Sequence, residues 1–178
     1  MVRYVVGGVA LVVVAVGLWA FAPWRLFTSS EIDEDRPVGT TAVEEPAESE
    51  SPVPVPDTKR PKDQVLAAGR FEDAEHATSG RAEILRLADG RRFVRFEDLA
   101  GSDGPDLHVW ITDRRSGGDW ASYDDGRYVR LGKLKATHGN HNYAIPADAD
   151  LAGMRSIVIW CDRFNVAFGT AAIRVREG

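Results

Sequence analysis

The chain has 178 residues, a net charge of −5 and an apolar content of 44%, which allows one ordinary domain with extras and excludes a wholly disordered composition. Residues 1–27 carry only Arg3 and Arg25, residues 28–64 hold ten acids against four bases, and residues 65–178 are close to neutral. A near-neutral domain behind an acidic stretch lacks the basic footprint of a nucleic-acid binder, and that class is set aside.

Residues 4–22, YVVGGVALVVVAVGLWAFA, contain no charge. A helix of that length reaches about 28 Å, close to the hydrocarbon thickness of a bilayer. Trp19, Trp24 and Phe27 fall where interfacial aromatics belong, with Arg25 at headgroup level. Ala20-Phe21-Ala22 has the small-x-small form of a signal-peptide cleavage site, but Pro23 would follow the cut and disfavours it. The segment has no polar face, which speaks against a core helix. The expectation is an uncleaved single-pass anchor at the cell membrane with the C-terminal domain outside the cytoplasm.

Residues 28–64 hold six of the nine prolines, including the alternating Pro52, Pro54 and Pro56, and almost no large apolar side chains. Nothing there offsets the entropy of ordering the chain, so the reading is a disordered acidic linker. Its reach as a flexible chain is about 35 Å, which puts partners at the membrane surface.

From residue 65 onward, short apolar alternations are broken by Gly, Asp and Pro. Strands are predicted at 68–74, 80–88, 91–99, 106–113, 127–133, 141–145, 155–161 and 164–176, with turns at Asp89-Gly90, Gly101 to Pro105, Ser116-Gly117-Gly118 and Asp124-Asp125-Gly126. Leu107, Val109 and Ile111 share one strand face, and His108, Trp110 and Thr112 the other. Ser156 to Cys161 is apolar on both faces, as in a central strand. The fold class is all-β: a single sandwich or barrel-like domain of about eight strands.

The only cysteine, Cys161, shares the parity of Ile157 and Ile159, so its thiol points into an apolar layer near a strand end. Such a residue acts as a small buried hydrophobe or as a redox-active or ligating thiol, the latter if Arg163 or a histidine lowers its pKa. His138 and His141 lie in a Gly-Asn loop and, with Cys161, have the donor types of a copper or zinc site. However, no His follows Cys161 in DRFNVAFG and the domain's only Met is Met154, so solvated loop histidines are expected and no metal is assigned. The sequence names no cofactor. Gly104, Pro105, Asp106 and His108 open a strand, where Pro105 fixes φ and Asp106 accepts bonds from turn donors. No Ser-His-Asp spacing, phosphate-cradling loop, HExxH or CxxC supports a hydrolase or nucleotide enzyme. In the loop 113–128, Trp120, Tyr123 and Tyr128 form either a binding patch or the packing of a long hairpin connection.

Taken together, Gly69-Arg70-Phe71, Thr78-Ser79-Gly80, GPDLHVWI from Gly104, LGKLK from Leu131, GNHNYAIP from Gly139 and SIVIWCDRFNVAFGTA from Ser156 resemble, in this order, the DM thirteen or electron-transfer DM domain family. The resemblance covers residues 66–176. It implies a β-rich extracytoplasmic module, occurring in bacteria as membrane-tethered copies, whose signature cysteine, Cys161 here beside Trp160, is redox-active. It departs from the family where Gln-Asn commonly precedes the tyrosine and this chain has His141-Asn142. His141, His138 and Arg163 are the candidates for tuning the thiol. Two functions follow as expectations: a tethered redox module working through Cys161 with a redox protein partner at the membrane surface, or a non-catalytic envelope module that binds a protein or glycan and uses the cysteine structurally.

Overall fold

The computed structural model describes residues 29–39 and 62–175, together with short helical pieces at 7–8, 11–12 and 15–16. The apolar segment 4–22 otherwise lies outside the described residues, as does 40–61 of the proposed linker. Among the described residues no helix is long and apolar enough to cross a membrane.

The domain is all β. Among the described residues nine strands, β1 (Glu31–Asp33), β2 (Gln64–Asp73), β3 (Ser79–Arg86), β4 (Arg92–Ala100), β5 (Leu107–Thr112), β6 (Tyr128–Lys133), β7 (His138–Ile145), β8 (Ser156–Cys161) and β9 (Val166–Ala172), form one sheet in the order β1-β7-β4-β3-β2-β9-β8-β5-β6. Every pairing is antiparallel except β1 with β7. The eight strands expected from alternation are present. They form a single curled sheet, a half-barrel, and β6 at one edge touches β7 near the other.

The curl originates in β2. Its residues Gln64 to Arg70 pair with β3 and its residues Phe71 to Asp73 pair with β9, so one strand belongs to both halves of the sheet. Gly69 sits at the handover, where a Cβ would lie 1.9 Å from the carbonyl oxygen of Ala172. No side chain fits there, which explains a glycine inside a strand. The two halves then face each other and fill one core. Ile84, Val94, Phe96 and Tyr143 come from one side, and Val109, Ile111, Ile157, Ile159 and Phe168 from the other. Phe71 on β2 meets Phe96 edge to face at 4.9 Å, tying the pivot strand to that core.

A second, smaller cluster lies on the opposite face of β5 and β8: Trp110, Val158, Trp160 and Ala167, covered by Tyr123 from the β5–β6 connection and by Ala74. Tyr123 is therefore packed rather than part of an exposed patch, whereas Trp120 and Tyr128 remain exposed at 49% and 40%.

Residues 29–39 correct the linker boundary. They run along the sheet edge as β1 and its flanks, held by polar contacts rather than apolar burial. Arg36 bridges Glu83 at 2.7 Å and Glu97 at 2.8 Å, while Glu34 pairs with Lys135 at 2.6 Å and accepts the Asn142 backbone N–H. Charges that read as linker are thus tied to the domain: Glu34 to Lys135 between β6 and β7, and Arg36 to acids on β3 and β4.

Substituting Gly69→Ala forces β2 and β9 apart. We expect a loss of about 3 kcal/mol by the cost of overpacking, measured by urea denaturation, with Gly118→Ala, whose Cβ meets nothing closer than 3.5 Å, close to neutral.

Candidate functional site

Cys161 is the last residue of β8, paired with Leu107 of β5 on one side and Val166 of β9 on the other. Its side chain joins the main core and is fully buried. The turn Asp162 to Asn165 leads into β9, closed by Asn165 in the left-handed region at φ 54°. Asn tolerates that conformation better than most residues. The turn curls back on the strand end, so burial and the backbone compete at the sulfur. Burial pushes the thiol pKa up, hydrogen bonds from the backbone N–H groups of Phe164, Arg163 and Asp106 pull it down, and the Asp106 carboxylate pushes it up again. The net direction is upward from 9.0, so Cys161 is a protonated thiol at neutral pH.

Immediately across the strand end lies a charged cluster. The Asp162 backbone N–H donates to the Asp106 carbonyl at 3.0 Å, which brings the two acidic residues together. His108 Nε2 stands 3.1 Å from Asp106 Oδ1 and 3.3 Å from Asp162 Oδ2. Lys133 reaches the same Asp106 oxygen at 3.2 Å, and Arg130 pairs with Asp162. Partial burial opposes ionisation of Asp106, but hydrogen bonds from Lys133 and His108 hold its carboxyl below the usual value. Asp106, His108 and Asp162 offer three ligand atoms within 4.8 Å of one another, the donor types of a divalent-metal site. Lys133 and Arg130 already balance the two carboxylates, so a cation would have to displace them.

His108 continues a row of outward-facing side chains. It lies beside Lys133 on β6 and Trp160 on β8, and the next row holds Arg130, Trp110 and Val158. Trp110 stacks on Trp160 at 4.8 Å and on Tyr128 at 4.4 Å, and the Arg130 guanidinium lies 5.1 Å from the Trp110 ring. The signature turn is set from the other direction. A Cβ on Gly104 would come within 2.9 Å of Leu107 and the Phe168 ring, so the glycine lets the turn close over the core. Between Asp106 and Lys133 the turn borders a polar cleft of about 250 Å³ that extends to Lys135 and Thr137.

The sequence-derived tuning residues fall in two places. Arg163 is next to the thiol and acts on it through its backbone N–H. His138 and His141 sit on β7, in the other half of the sheet, and neither imidazole is among the groups that set the charge of the sulfur. His141 is fully buried, with Nε2 2.9 Å from the His138 carbonyl oxygen and Nδ1 3.2 Å from the Tyr143 hydroxyl. A carbonyl only accepts, so Nε2 carries the proton and Nδ1 accepts from Tyr143, whose oxygen also accepts the Lys135 backbone N–H at 3.1 Å. His138 Nδ1 lies 2.9 Å from Thr137 Oγ1. Asp162, Arg130 and Lys133 did not stand out in the sequence. The signal available for them was positional: each is brought to His108 or Trp110 by strand register.

Residues 70–173 match the model of a family described as electron transfer DM13. No curated protein and no solved structure matches the chain.

Burial lowers the pKa of His141 from 6.5, and the neighbouring Lys135 lowers it further, against the bond to the His138 carbonyl and the charge of Glu34. Below pH 6.5 the unfolded chain takes up a proton that folded His141 refuses, so stability falls as pH falls. Thermal melts across this range should show that slope in the native chain. His141→Gln, which cannot titrate, should flatten it.

Proposed function

The chain belongs to the electron transfer DM13 family, and from that membership we propose that it is a membrane-tethered, extracytoplasmic redox module that works through the single Cys161. Family membership carries the redox role as such. What supports this residue is the setting of the sulfur: at the end of β8 the backbone N–H groups of Phe164, Arg163 and Asp106 pull its pKa down against burial, beside a cluster of two acids, two bases and a histidine. A cysteine serving only as a small hydrophobe requires none of these groups.

The same geometry selects among the chemistries open to a thiol. The thiolate is the nucleophile in disulfide exchange and peroxide reduction, and a buried, protonated sulfur is poor at both. Electron transfer requires no contact between sulfur and partner. We therefore read the module as one that exchanges electrons with a redox partner rather than one that forms a mixed disulfide.

Tethering rests on the uncharged segment 4–22 and on the exposure of Leu11, Val12 and Val16 in its helical pieces. Exposed apolar side chains such as these suit a lipid environment. Because residues 29–39 are held on the sheet edge, only residues 23–28 separate that segment from the domain, and the redox partner works close to the bilayer.

A second reading, a non-catalytic module that docks a protein or glycan, is favoured by the exposure of Trp120 and of Phe164, which stands on the turn after Cys161 at 46%. On that reading the docking surface lies beside the thiol, and the two readings share a partner face. Trp120→Ala should change stability by less than about 0.5 kcal/mol, as for surface sites generally, in urea denaturation while weakening partner capture.

Protein-film voltammetry of the full chain in detergent tests the redox reading. The native protein should give a wave that Cys161→Ser abolishes while the variant retains its fold by circular dichroism. Identical traces from the two proteins would leave Cys161 a structural residue.

A further inference from the structure

Resting on the redox reading of Cys161, we propose that Trp160, Trp110 and Tyr128 form a one-electron path that joins the buried thiol to the protein surface. Cys161 is sealed from solvent, so a partner cannot reach the sulfur itself. Trp160 is its covalent neighbour, but the two side chains leave β8 on opposite faces: the thiol enters the main core and the indole joins the outer cluster. From Trp160 the rings continue outward without a gap. Trp110 lies 4.8 Å away with its plane tilted by 28°, and Tyr128 lies 4.4 Å beyond it with its plane only 9° off parallel. Trp160 and Trp110 are only 1% and 2% exposed, and Tyr128 opens the series to solvent.

The surroundings of the rings support transit rather than storage of charge. Trp110 Nε1 is buried and has no hydrogen-bond partner among the described residues. A tryptophan that loses an electron becomes far more acidic at that nitrogen, and without an acceptor it cannot relax to the neutral radical. The Arg130 guanidinium over the ring also disfavours a resting positive charge there. Trp110 is thus a stepping stone. Tyr123 packs in the same cluster, but its hydroxyl is likewise buried without a partner, so its phenol proton has nowhere to go and it stays out of the path.

In the oxidising direction one electron leaves Cys161, passes along Trp160 and Trp110, and reduces an outer-sphere one-electron acceptor docked at Tyr128. The S–H bond breaks, the proton passes to the carboxylate of Asp106, which the pairing of Leu107 with Cys161 and the bond from the Asp162 N–H to its carbonyl bring to the end of β8, and a sulfur-centred radical remains. An electron returned along the same rings, with the proton, restores the thiol. The partner's contact surface is the outer face of β5 and β6, where Tyr128, Arg130 and Lys133 follow one another along β6.

The test uses the full chain in detergent with tris(bipyridine)ruthenium(III) as the surface oxidant, generated by light from the ruthenium(II) complex with pentaamminechlorocobalt(III) as the sacrificial electron acceptor, in aerated buffer. Oxidation of Cys161 to sulfinic and sulfonic acid is read by peptide mass spectrometry, and indole radicals by transient absorption. Trp110→Phe should slow Cys161 oxidation about tenfold or more, a decade in rate, and Tyr128→Phe should slow it to a smaller extent. Matching thermal melts establish that the variants are folded, and the exposed Tyr128 variant carries the test if Trp110→Phe is not. Unchanged Cys161 oxidation in the folded variants would overturn the path and leave the redox reading standing. Indole radicals in the native chain with no oxidised Cys161 would overturn both.

Discussion

The close approach of β2 and β9 at Gly69 is the constraint on which the molecule depends. A single sheet of nine strands cannot bury an apolar face unless it folds over on itself, and it does so by letting one strand pair in two directions. The carbonyl oxygen of Ala172 occupies the space a side chain would need, so the crossing exists only with a glycine at that position. The curl that follows creates one core from two halves and orients β8 with one face inward and the other under the β5–β6 connection. Cys161 and Trp160, adjacent in the chain, are separated by the sheet for that reason.

That separation has a chemical meaning. The inner face gives the sulfur a low-dielectric surrounding, which favours the neutral thiol, and the turn supplies backbone N–H groups that stabilise extra charge on it. The opposition leaves the group poised between an inert hydrophobe and an ion, with burial prevailing. The outer face carries the aromatic rings and the charged cluster, and these share components. Arg130 pairs with Asp162 and lies over Trp110, while His108 stands between Asp106 and Asp162 and beside Trp160 in the strand register. Electrostatics and aromatic packing at this end of the sheet therefore respond together to anything that moves β6.

The opposite edge is held in a different way. Residues 29–39 bring few apolar atoms, and their contribution is to satisfy charges that the sheet has buried. Arg95 and Glu83 are largely inaccessible, and their partners include the Glu34 carbonyl and Arg36. Removing one partner from such a network leaves an unpaired buried charge, which costs far more than an exposed ion pair contributes. His141 belongs to this side of the molecule, locked between Tyr143 and the His138 carbonyl, where its uncharged form suits the core.

The membrane anchor and acidic linker with which the sequence opens are readings of composition; only part of that region is described in the structure. Within the domain, eight strands were legible because alternation of apolar and polar residues is a local property, and turn residues punctuate it. The inward face of Cys161 was legible for the same reason. The ninth strand was not: Glu31-Ile32-Asp33 has one apolar residue, and its partners lie about a hundred positions away on β7, a separation no local pattern reports. Likewise, His138 and His141 resemble thiol neighbours because histidines are the usual partners of a reactive cysteine. Strand order instead puts them in the other half of the sheet and brings Asp106, Asp162, Arg130 and Lys133 to the strand end. Residue type and periodicity determined the elements and the face each side chain takes. Which elements became neighbours was decided by the curl at Gly69, because contacts between distant strands depend on how the whole sheet closes.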